Sequence, residues 1–220
     1  MGGDAARPPR AYDIIKRLAD MLVSGAVLIV LSPLLVGIAL AIRLGSRGPA
    51  LYRGVRVGRF GKPFGMLKFR TMVVDAERRG GTSTADDDPR ITRTGRWLRA
   101  TKLDELPQMI NVFTGDMSLV GPRPQVQHDV AKYTAEERAL LWVRPGITDY
   151  ASIRFRDEGA ILRGHEDPDA AYIELIRPEK IRLGLEYVRT YSLRVDARIL
   201  ARTALAILGH DKAMPTEQYR

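Results

Sequence analysis

The stretch MLVSGAVLIVLSPLLVGIALAI, residues 21–42, decides the architecture of the chain because its 22 consecutive residues carry no charge. A straight helix of this length reaches about 33 Å, close to the hydrocarbon thickness of a bilayer. Ser32 and Pro33 lie at its midpoint, where a proline removes a helix hydrogen bond and clashes with the preceding turn. The stretch therefore predicts a membrane helix that bends at Ser32-Pro33.

Basic residues on both flanks leave the path of this helix open between two arrangements. Four cations lie in residues 1–17 and six lie in residues 43–62, the second set without any acid. Because positive charge favours the cytoplasmic side of a membrane, two basic flanks fit a re-entrant hairpin that returns to the face it entered. A kinked helix that crosses the bilayer is the alternative, since prolines also occur in true spans.

The composition limits the classes of partner and site. The chain of 220 residues has 35 Lys and Arg against 26 Asp and Glu, a net charge of +9. That excess predicts an anionic partner: nucleic acid, an acidic membrane surface or a phosphorylated substrate. The absence of cysteine excludes disulfides and thiolate metal sites. We expect three parts, namely the membrane hairpin at 1–48, one folded domain at 49–208 and a tail at 209–220.

The folded domain is predicted to be α+β and mostly helical. Two short strands, 50–60 and 61–72, are expected to pair as a β-hairpin with Gly61-Lys62-Pro63 as the turn. A polar loop follows at 75–90. Farther on, SLVGPRPQ (118–125) predicts a rigid turn and RPGIT (144–148) predicts a loop.

Five helical stretches complete this prediction. The third begins with the capping-box pattern Thr134-x-x-Glu137, and the fourth is interrupted by Pro178. The predicted helices are 91–100, 104–114, 134–143, about 169–190 and 195–208.

Two acids stand side by side in TKLDELPQM, residues 101–109. A helix over 104–114 places Asp104 at its N-terminus, with Pro107 in the first turn, where a missing N–H costs nothing. Glu105 is about 100° further round, so the two carboxylates diverge. The predicted apolar face carries Leu106, Ile110 and Phe113, and a second face carries Asp104, Gln108 and Asn111. Taken alone, the pair is an N-terminal cap with an acidic first turn.

The basic residues near the pair favour a phosphate site. Two prolines hold Arg123 in Gly121-Pro122-Arg123-Pro124, which fixes the guanidinium for bidentate phosphate binding. Asp116 either adds an oxygen ligand for a metal or ends the helix in a turn. Carboxylates among such cations indicate phosphoryl chemistry, with Mg²⁺ held by acids and phosphates or with an aspartate as nucleophile. The cations close in sequence are Arg93, Arg96, Arg99, Lys102 and Arg123.

Three motifs in this order resemble the bacterial sugar transferase family, the monotopic polyprenyl-phosphate phosphoglycosyl transferases. The opening segment, including its Ser-Pro, is similar to the family's N-terminal re-entrant membrane helix. The likeness runs from about residue 11 to 148 and more loosely to about 208, and the short chain resembles the minimal catalytic form. The motifs are KFRTM (68–72), DPRITRTGRWLRATKLDELPQMINVFTGDMSLVGPRP (88–124) and RPGIT (144–148).

The resemblance implies a reaction and its partners. A sugar 1-phosphate would pass from a UDP-sugar to polyprenyl phosphate with release of UMP, at a catalytic domain on the cytoplasmic face of the bacterial inner membrane. Amphipathic helices would lie at the membrane lipid interface around the active site. Nucleic acid is not an expected partner, and monomer and homodimer both stay open.

The resemblance also implies roles for individual residues. Asp104 would attack the phosphate that bears the sugar and form a covalent intermediate, and Glu105 would assist with the metal or with proton handling. Mg²⁺ would neutralise the diphosphate, with Asp104 and Glu105, and in one variant Asp116, as ligands. The residues expected to bind substrate phosphates are Lys68, Arg70, Arg99, Arg123 and Arg156.

The segment after RPGIT departs from the family pattern. Many members continue with Gly-Trp-Ala-Gln and an Asn-Gly-Arg, whereas this chain reads DYASIRFRDEGAIL. Asp149 stands in place of the glycine, and Arg154-Phe155-Arg156 replaces Asn-Gly-Arg. The change leaves the chemistry intact but leaves open which donor is used and what Arg156 does.

Two other functions stay open from the residues alone. A membrane-anchored basic binding module would need dispersed cations but no carboxylate pair, and a transferase without a covalent intermediate would use both acids only as metal ligands. The acids at 86–88 are interpreted as a solvated linker. Trp97 and Trp142 fit either interfacial anchors or core packing.

Overall fold

The computed structural model describes residues 10–76 and 84–207, which form a mostly helical α+β fold with two small sheets. Residues 1–9, the middle of the predicted polar loop and the predicted tail at 209–220 lie outside these ranges. The first five helices are α1 (Arg10–Val30), α2 (Ser32–Gly45), α3 (Arg93–Ala100), α4 (Gln108–Thr114) and α5 (Gln127–Ala131). The later helices are α6 (Tyr150–Arg154), α7 (Glu158–Ile161), α8 (Pro168–Ala171), α9 (Arg177–Thr190) and α10 (Leu193–Ile207).

The predicted bend in the apolar segment is present. The axes of α1 and α2 differ by 63° across a break at Leu31, and Pro33 lies in the first turn of α2. Because proline has no N–H to donate to the carbonyl of Ile29, that carbonyl would lose its helical partner. Ser32 replaces the lost bond, since its hydroxyl donates to the Ile29 carbonyl over 2.8 Å.

No single helix in the described ranges is long and apolar enough to span a membrane, but the bent pair Ala11–Val30 and Ser32–Gly45 meets that requirement together. The outer surface of the pair is apolar and exposed, with Leu44 at 88% and Ile29 at 76%. On the inner side, Ile38 and Ile42 are buried against Phe69 and Leu98.

The predicted β-hairpin is confirmed. Strands β1 (Leu51–Val57) and β2 (Pro63–Phe69) pair antiparallel, with Leu51 opposite Phe69 and Val57 opposite Pro63. The turn lies earlier than predicted, in a short 3₁₀ helix at Arg59–Gly61 in which Phe60 and Gly61 have φ of 59° and 77°. The left-handed turn therefore uses one glycine and one strained non-glycine residue.

A second sheet was not predicted, because 118–125 and 144–148 were interpreted as a rigid turn and a loop. Strands β3 (Ser118–Val120) and β4 (Gly146–Thr148) pair parallel, with Ser118 opposite Gly146. Strands of only three residues are too short to show an alternating pattern, so this pairing is not visible in the local sequence. The backbones touch beyond the ladder, since a Cβ added to Gly146 would lie 2.1 Å from the amide nitrogen of Gly121.

The helix predicted over 104–114 is wrong at its start and in its faces. Asp104 lies in a separate 3₁₀ turn, Leu103–Glu105, and α4 begins only after Pro107. The predicted apolar residues Ile110 and Phe113 are 38% and 46% exposed, whereas Gln108 and Asn111 are 0% and 3% exposed. Hydrogen bonds from both side-chain amide atoms of Asn111, described below, explain how this polar residue can be buried. Gln108 is bonded only through its oxygen, to Arg123, and among the described residues its buried Nε2 has no partner.

The remaining helices differ from prediction in detail. The capping box is confirmed by reciprocal bonds of 2.8 and 3.2 Å between Thr134 and Glu137, although the helix that follows, Glu137–Trp142, is 3₁₀. The stretch 169–190 divides into α8, a π-helical turn at Tyr172–Ile176 and α9, with Pro178 in the first turn of α9. Helices α5, α6 and α7 were not predicted.

The structure also shows the surroundings of Asp88 and of the two tryptophans, Trp97 and Trp142. Asp88 is not a solvated linker residue, because its carboxylate binds the Arg90 guanidinium at 2.6 Å with 10% of the aspartate side chain exposed. Trp142 packs against the main core, while Trp97 is 53% exposed. That core lies under β3 and α9 and includes Val120, Leu183 and Tyr187.

Candidate active site

The turn that carries the acid pair is held between two fixed elements. Lys102, in the left-handed region with φ 57°, reverses the chain between α3 and the Leu103–Glu105 turn. On the far side, Asn111 of α4 is bonded to β2, accepting from the Leu67 amide and donating to the Gly65 carbonyl, both over 2.9 Å. These bonds bring Lys68 of β2 beside the acid pair.

Glu105 is bound to two cations through a single oxygen. Its Oε1 lies 2.8 Å from Lys68 Nζ and 2.7 Å from Arg123 Nη2. Burial opposes the charge of this carboxylate, but Arg123 and Lys68 outweigh it and hold the pKa of Glu105 well below its usual range. The lowered pKa keeps Glu105 ionised at neutral pH.

The orientation of Arg123 depends on the unpredicted sheet. Arg123 lies three residues after the end of β3, and its Nη1 donates over 2.7 Å to the carbonyl of Ile147 in β4. A second acceptor is Gln108 Oε1 at 3.3 Å. The two prolines limit the backbone, while the parallel pairing supplies the acceptor that aims the guanidinium at Glu105.

The surroundings of Asp104 shift its pKa in the opposite direction from that of Glu105. It is 7% exposed, and no residue of the described ranges donates a hydrogen bond to its carboxylate. Burial raises the pKa of Asp104 and Glu105 raises it further, whereas Lys68, Arg99 and Lys102 oppose the shift. A carboxylate with raised basicity and no engaged partner is suited to attack an electrophile or to bind a metal.

The structure brings only some of the predicted phosphate-binding residues to the acid pair. Lys68 and Arg123 contact Glu105, and Arg99 acts on the charge of Asp104 while donating to the Thr84 carbonyl over 3.4 Å. Arg70 is directed elsewhere: it is 7% exposed and donates to the Ser46 carbonyl and hydroxyl over 3.0 and 2.8 Å. It ties β2 to the end of the helical hairpin.

Arg156 and Asp116 are likewise engaged away from the pair. The Arg156 guanidinium donates to the carbonyl of Ala206 on α10, and its own carbonyl accepts from Lys102 Nζ over 2.8 Å. Asp116 accepts from the Thr114 hydroxyl over 3.2 Å, at the other end of α4 from Asp104. The interpretation of Asp116 as part of a helix-terminating turn matches this position.

The donors present fit Mg²⁺ only with help from a substrate. Within the described ranges no group of three or more His, Asp or Glu is placed to hold a metal ion. Mg²⁺ is commonly bound by one or two carboxylates together with substrate phosphates and waters. Asp104 offers a free carboxylate for that arrangement, and Glu105 offers its second oxygen, Oε2.

Two residues of the site carried no predicted role. Gln108 is fully buried and orients Arg123, and its sequence signal was its place four residues after Asp104. Asp149 is 2% exposed and caps α6 by accepting from the Ser152 amide over 2.6 Å. Burial raises the pKa of Asp149, and its charge also acts on Arg123. The Asp-x-x-Ser spacing was the available signal for this cap.

The chain belongs to the bacterial sugar transferase family, whose model matches residues 11–210. A UDP-glucose:undecaprenyl-phosphate glucose-1-phosphate transferase of Caulobacter vibrioides is 40% identical over 209 residues, which cover 94% of this chain and 74% of that protein. The protein of the same name in Escherichia coli strain K12 is 39% identical over 194 residues, 86% of this chain but 39% of its own length. An uncharacterized sugar transferase of Bacillus subtilis strain 168, EpsL, is 34% identical over 195 residues, with 89% and 88% covered.

This membership confirms the family predicted from the motifs and the prediction that the chain is a transferase enzyme. It does not support the alternative of a non-enzymatic basic binding module. The chain spans most of the Caulobacter and Bacillus relatives but well under half of the E. coli one.

Proposed function

We propose that the protein transfers a sugar 1-phosphate from a UDP-sugar to undecaprenyl phosphate and releases UMP. The names of the Caulobacter and E. coli relatives support this donor and acceptor class. The observation that carries the mechanism is the contrast within the acid pair. Glu105 is bound to two cations, whereas Asp104 is buried with a raised pKa, and none of the residues that the structure describes donates a hydrogen bond to it.

In the first half-reaction, a carboxylate oxygen of Asp104 attacks the phosphorus that bears the sugar. The bond from that phosphorus to the bridging oxygen breaks, the electron pair stays on that oxygen, and UMP leaves. An acyl phosphate joins Asp104 to the sugar phosphate. Burial favours this step because it removes the water that would stabilise the ground-state carboxylate and raises its basicity.

Glu105 acts in this scheme as an anchor for cations. Its lowered pKa makes it a poor proton acceptor at neutral pH, so alignment is better supported than the proton handling considered above. By holding Lys68 and Arg123, it presents two positive groups to the phosphate oxygens on which charge develops in the transition state.

In the second half-reaction, an oxygen of undecaprenyl phosphate attacks the same phosphorus. The bond to Asp104 breaks, the carboxylate is regenerated, and the lipid diphosphate sugar leaves. One site serves both substrates in turn, because UMP departs before the lipid phosphate enters. Mg²⁺, held by Asp104 and Glu105 with substrate oxygens, supplies charge neutralisation when bound.

We also propose that the bent pair α1 and α2 re-enters the cytoplasmic face of the bacterial inner membrane. Both arms are bonded to one folded domain, through Lys16 with Asp196 at 2.6 Å and through Arg70 with Ser46 at 2.8 Å. Two ends that are held by the same domain favour a hairpin that returns to its face of entry. The nucleotide sugar in the cytoplasm and the lipid in the bilayer then meet at one interface.

The test is a single-turnover assay without lipid acceptor. Wild-type protein with UDP-sugar and Mg²⁺ is expected to release UMP in a burst and to carry a phosphosugar on Asp104, detected by mass spectrometry of the intact and digested protein. Asp104→Asn is expected to release none, and chelation with EDTA is expected to slow the burst. The Asp104→Asn protein should remain folded, since neutralising a carboxylate whose burial raises its pKa removes a desolvation cost.

Two results would refute parts of this proposal. Catalytic turnover with both substrates but without any adduct would favour the alternative in which both acids only hold metal. Full activity of Asp104→Asn would remove Asp104 from the chemistry altogether. A panel of UDP-sugars in the same assay identifies the donor.

A further inference from the structure

The polar face of α1 is bonded to the helix that follows the acid pair. Arg17 lies about one turn before the apolar stretch that begins at Met21, and its guanidinium is directed at the C-terminus of α4. Nη1 donates to the carbonyl of Val112 and Nη2 to the carbonyl of Phe113, each over 2.6 Å. The last carbonyls of a helix lack their usual helical amide partner, and they carry its negative dipole end; here the Gly115 amide also donates to the Val112 carbonyl over 3.1 Å. Arg17 therefore acts as a charged cap supplied from another element.

Close packing limits how else α4 could end. Gly115 closes α4 with φ 96°, and a Cβ added there would lie 3.3 Å from the Arg17 guanidinium carbon. Gly25, two turns farther along α1, allows the same approach, since a Cβ there would lie 3.3 Å from the Phe113 ring. The two glycines let α1 and α4 lie against each other with the guanidinium between them.

Arg17 is one of the residues that hold α4 in place. The middle of α4 is bound to β2 through Asn111, and its start is bound to the Arg123 turn through Gln108. Arg17 holds its end to α1. Because α4 has only seven residues, a shift of its end changes the position of its start, where the Asp104 turn is attached.

We propose that Arg17 is a positioning residue for the nucleophile. Through α4 it fixes Asp104 relative to Lys68 and Arg123, and it couples that geometry to the seating of the helical hairpin. Arg17 does not touch the acid pair, so its effect is on the rate of attack by Asp104 and not on donor binding. This inference rests on the proposed covalent half-reaction.

The experiment is the lipid-free burst assay with Arg17→Ala, Arg17→Lys and the control Arg43→Ala. Arg43 is exposed in the last turn of α2, so its removal changes the charge of the same hairpin without uncapping α4. The burst amplitude measures the fraction of folded, competent protein, and the burst rate constant measures how well Asp104 is placed. The amplitude is expected to stay near wild type in all three variants.

For Arg17→Ala the rate constant is expected to fall by about 10- to 100-fold, the scale of a small misplacement of a reacting group, with the donor concentration at half-saturation unchanged. The rate constant of Arg17→Lys is expected to lie between those of wild type and Arg17→Ala, because one ammonium group donates to two carbonyls less well than the forked guanidinium does. Added guanidinium ion at millimolar concentration should restore part of the Arg17→Ala rate and leave wild type unaffected.

The outcomes that overturn the inference are distinct from failure of the proposed function. A wild-type protein without a burst refutes the covalent half-reaction itself. A wild-type burst with an unchanged rate constant in Arg17→Ala refutes the positioning role. A fall in amplitude alone, without rescue by guanidinium, assigns Arg17 to folding only and also overturns the proposal.

Discussion

At Glu105, Lys68 and Arg123 converge on one carboxylate oxygen, and this convergence separates the two acids electrostatically. Adjacent residues with similar intrinsic acidity thereby acquire pKa shifts of opposite sign. Two titratable groups whose environments push their pKa values apart are a recurrent arrangement at active sites. The direction of each shift supports the proposed division, with attack by Asp104 and alignment by Glu105.

The pH dependence of the burst tests this division through Glu105→Gln. Attack needs ionised Asp104, so the burst rate falls as pH drops through the pKa of Asp104. Because that pKa is raised, this fall of the burst rate at low pH (the acid limb of the profile) is expected at a pH above the ordinary pKa of aspartate. In Glu105→Gln a negative charge that raises the pKa of Asp104 is gone and two cations are released toward it, so the limb is expected to move to lower pH. The rate at neutral pH is expected to fall about 10- to 100-fold as the cations lose their anchor.

The control for that pH profile is Glu136→Gln. Glu136 is 66% exposed and paired with Arg189 at the surface, where an ion pair contributes little, so its neutralisation should leave the profile unchanged. An acid limb that stays in place or moves to higher pH in Glu105→Gln would contradict the electrostatic coupling of the two acids.

Among the elements, α3 is placed by an unusually close backbone approach. A Cβ added to Gly95 would lie 1.9 Å from the carbonyl oxygen of Thr71, just after β2. The Thr92 side chain caps α3 by accepting from the Gly95 amide over 2.9 Å. The start of α3 and the segment that follows β2 therefore meet at Gly95. Arg99, on the same helix, reaches the charge of Asp104 from this position.

Substitution Gly95→Ala is expected to destabilise the protein by about 1–3 kcal/mol, the usual cost of overpacking against atoms that cannot move aside. Thermal unfolding in detergent measures the loss. Gly37→Ala is the matched control, since the Cβ added to this helical glycine would meet nothing within 4 Å. Gly95→Ala with wild-type stability would mean that α3 can shift away from Thr71 without cost.

For the whole molecule, the polar face of α1 is bonded to the folded domain at several points. The predicted boundary at residue 48 separates α1 from the domain, yet α1 binds Asp196, Val112 and Leu119 through its polar face. Asp20 on this face is 3% exposed and accepts from the Leu119 amide over 3.1 Å. The N-terminal half of α1 therefore contributes to the core as well as leading into the apolar stretch.

Labelling of single cysteines tests the orientation of the hairpin, because the chain has no cysteine of its own. Ala5→Cys and Arg47→Cys are expected to react with a membrane-impermeant maleimide from the cytoplasmic side in inverted vesicles, and not in right-side-out vesicles. Leu40→Cys, at an exposed apolar position of α2, should be protected in both. Reaction of the first two positions from opposite sides would mean that the helix crosses.

Local chemistry explains what could be predicted from the sequence. The bend at Ser32-Pro33 follows from a missing N–H, the β-hairpin from strand spacing around a glycine turn, and the capping box from Thr134 and Glu137. The proximity of the acid pair and Arg123 could also be predicted, because a short motif holds them near one another along the chain, and Arg123 contacts Glu105 in the structure.

By itself, the sequence determined the apolar bent segment, the antiparallel hairpin, the family and the residues of the acid pair, since each depends on neighbours a few positions apart. Only the tertiary structure decided that β3 and β4 pair, that Arg70 and Arg156 are engaged elsewhere, and that Arg17 caps α4. It also decided which acid is free, because the charge state of Asp104 and Glu105 depends on burial and on cations brought from β2 and from the turn after β3. Pairing and desolvation are long-range effects, and no local pattern encodes them.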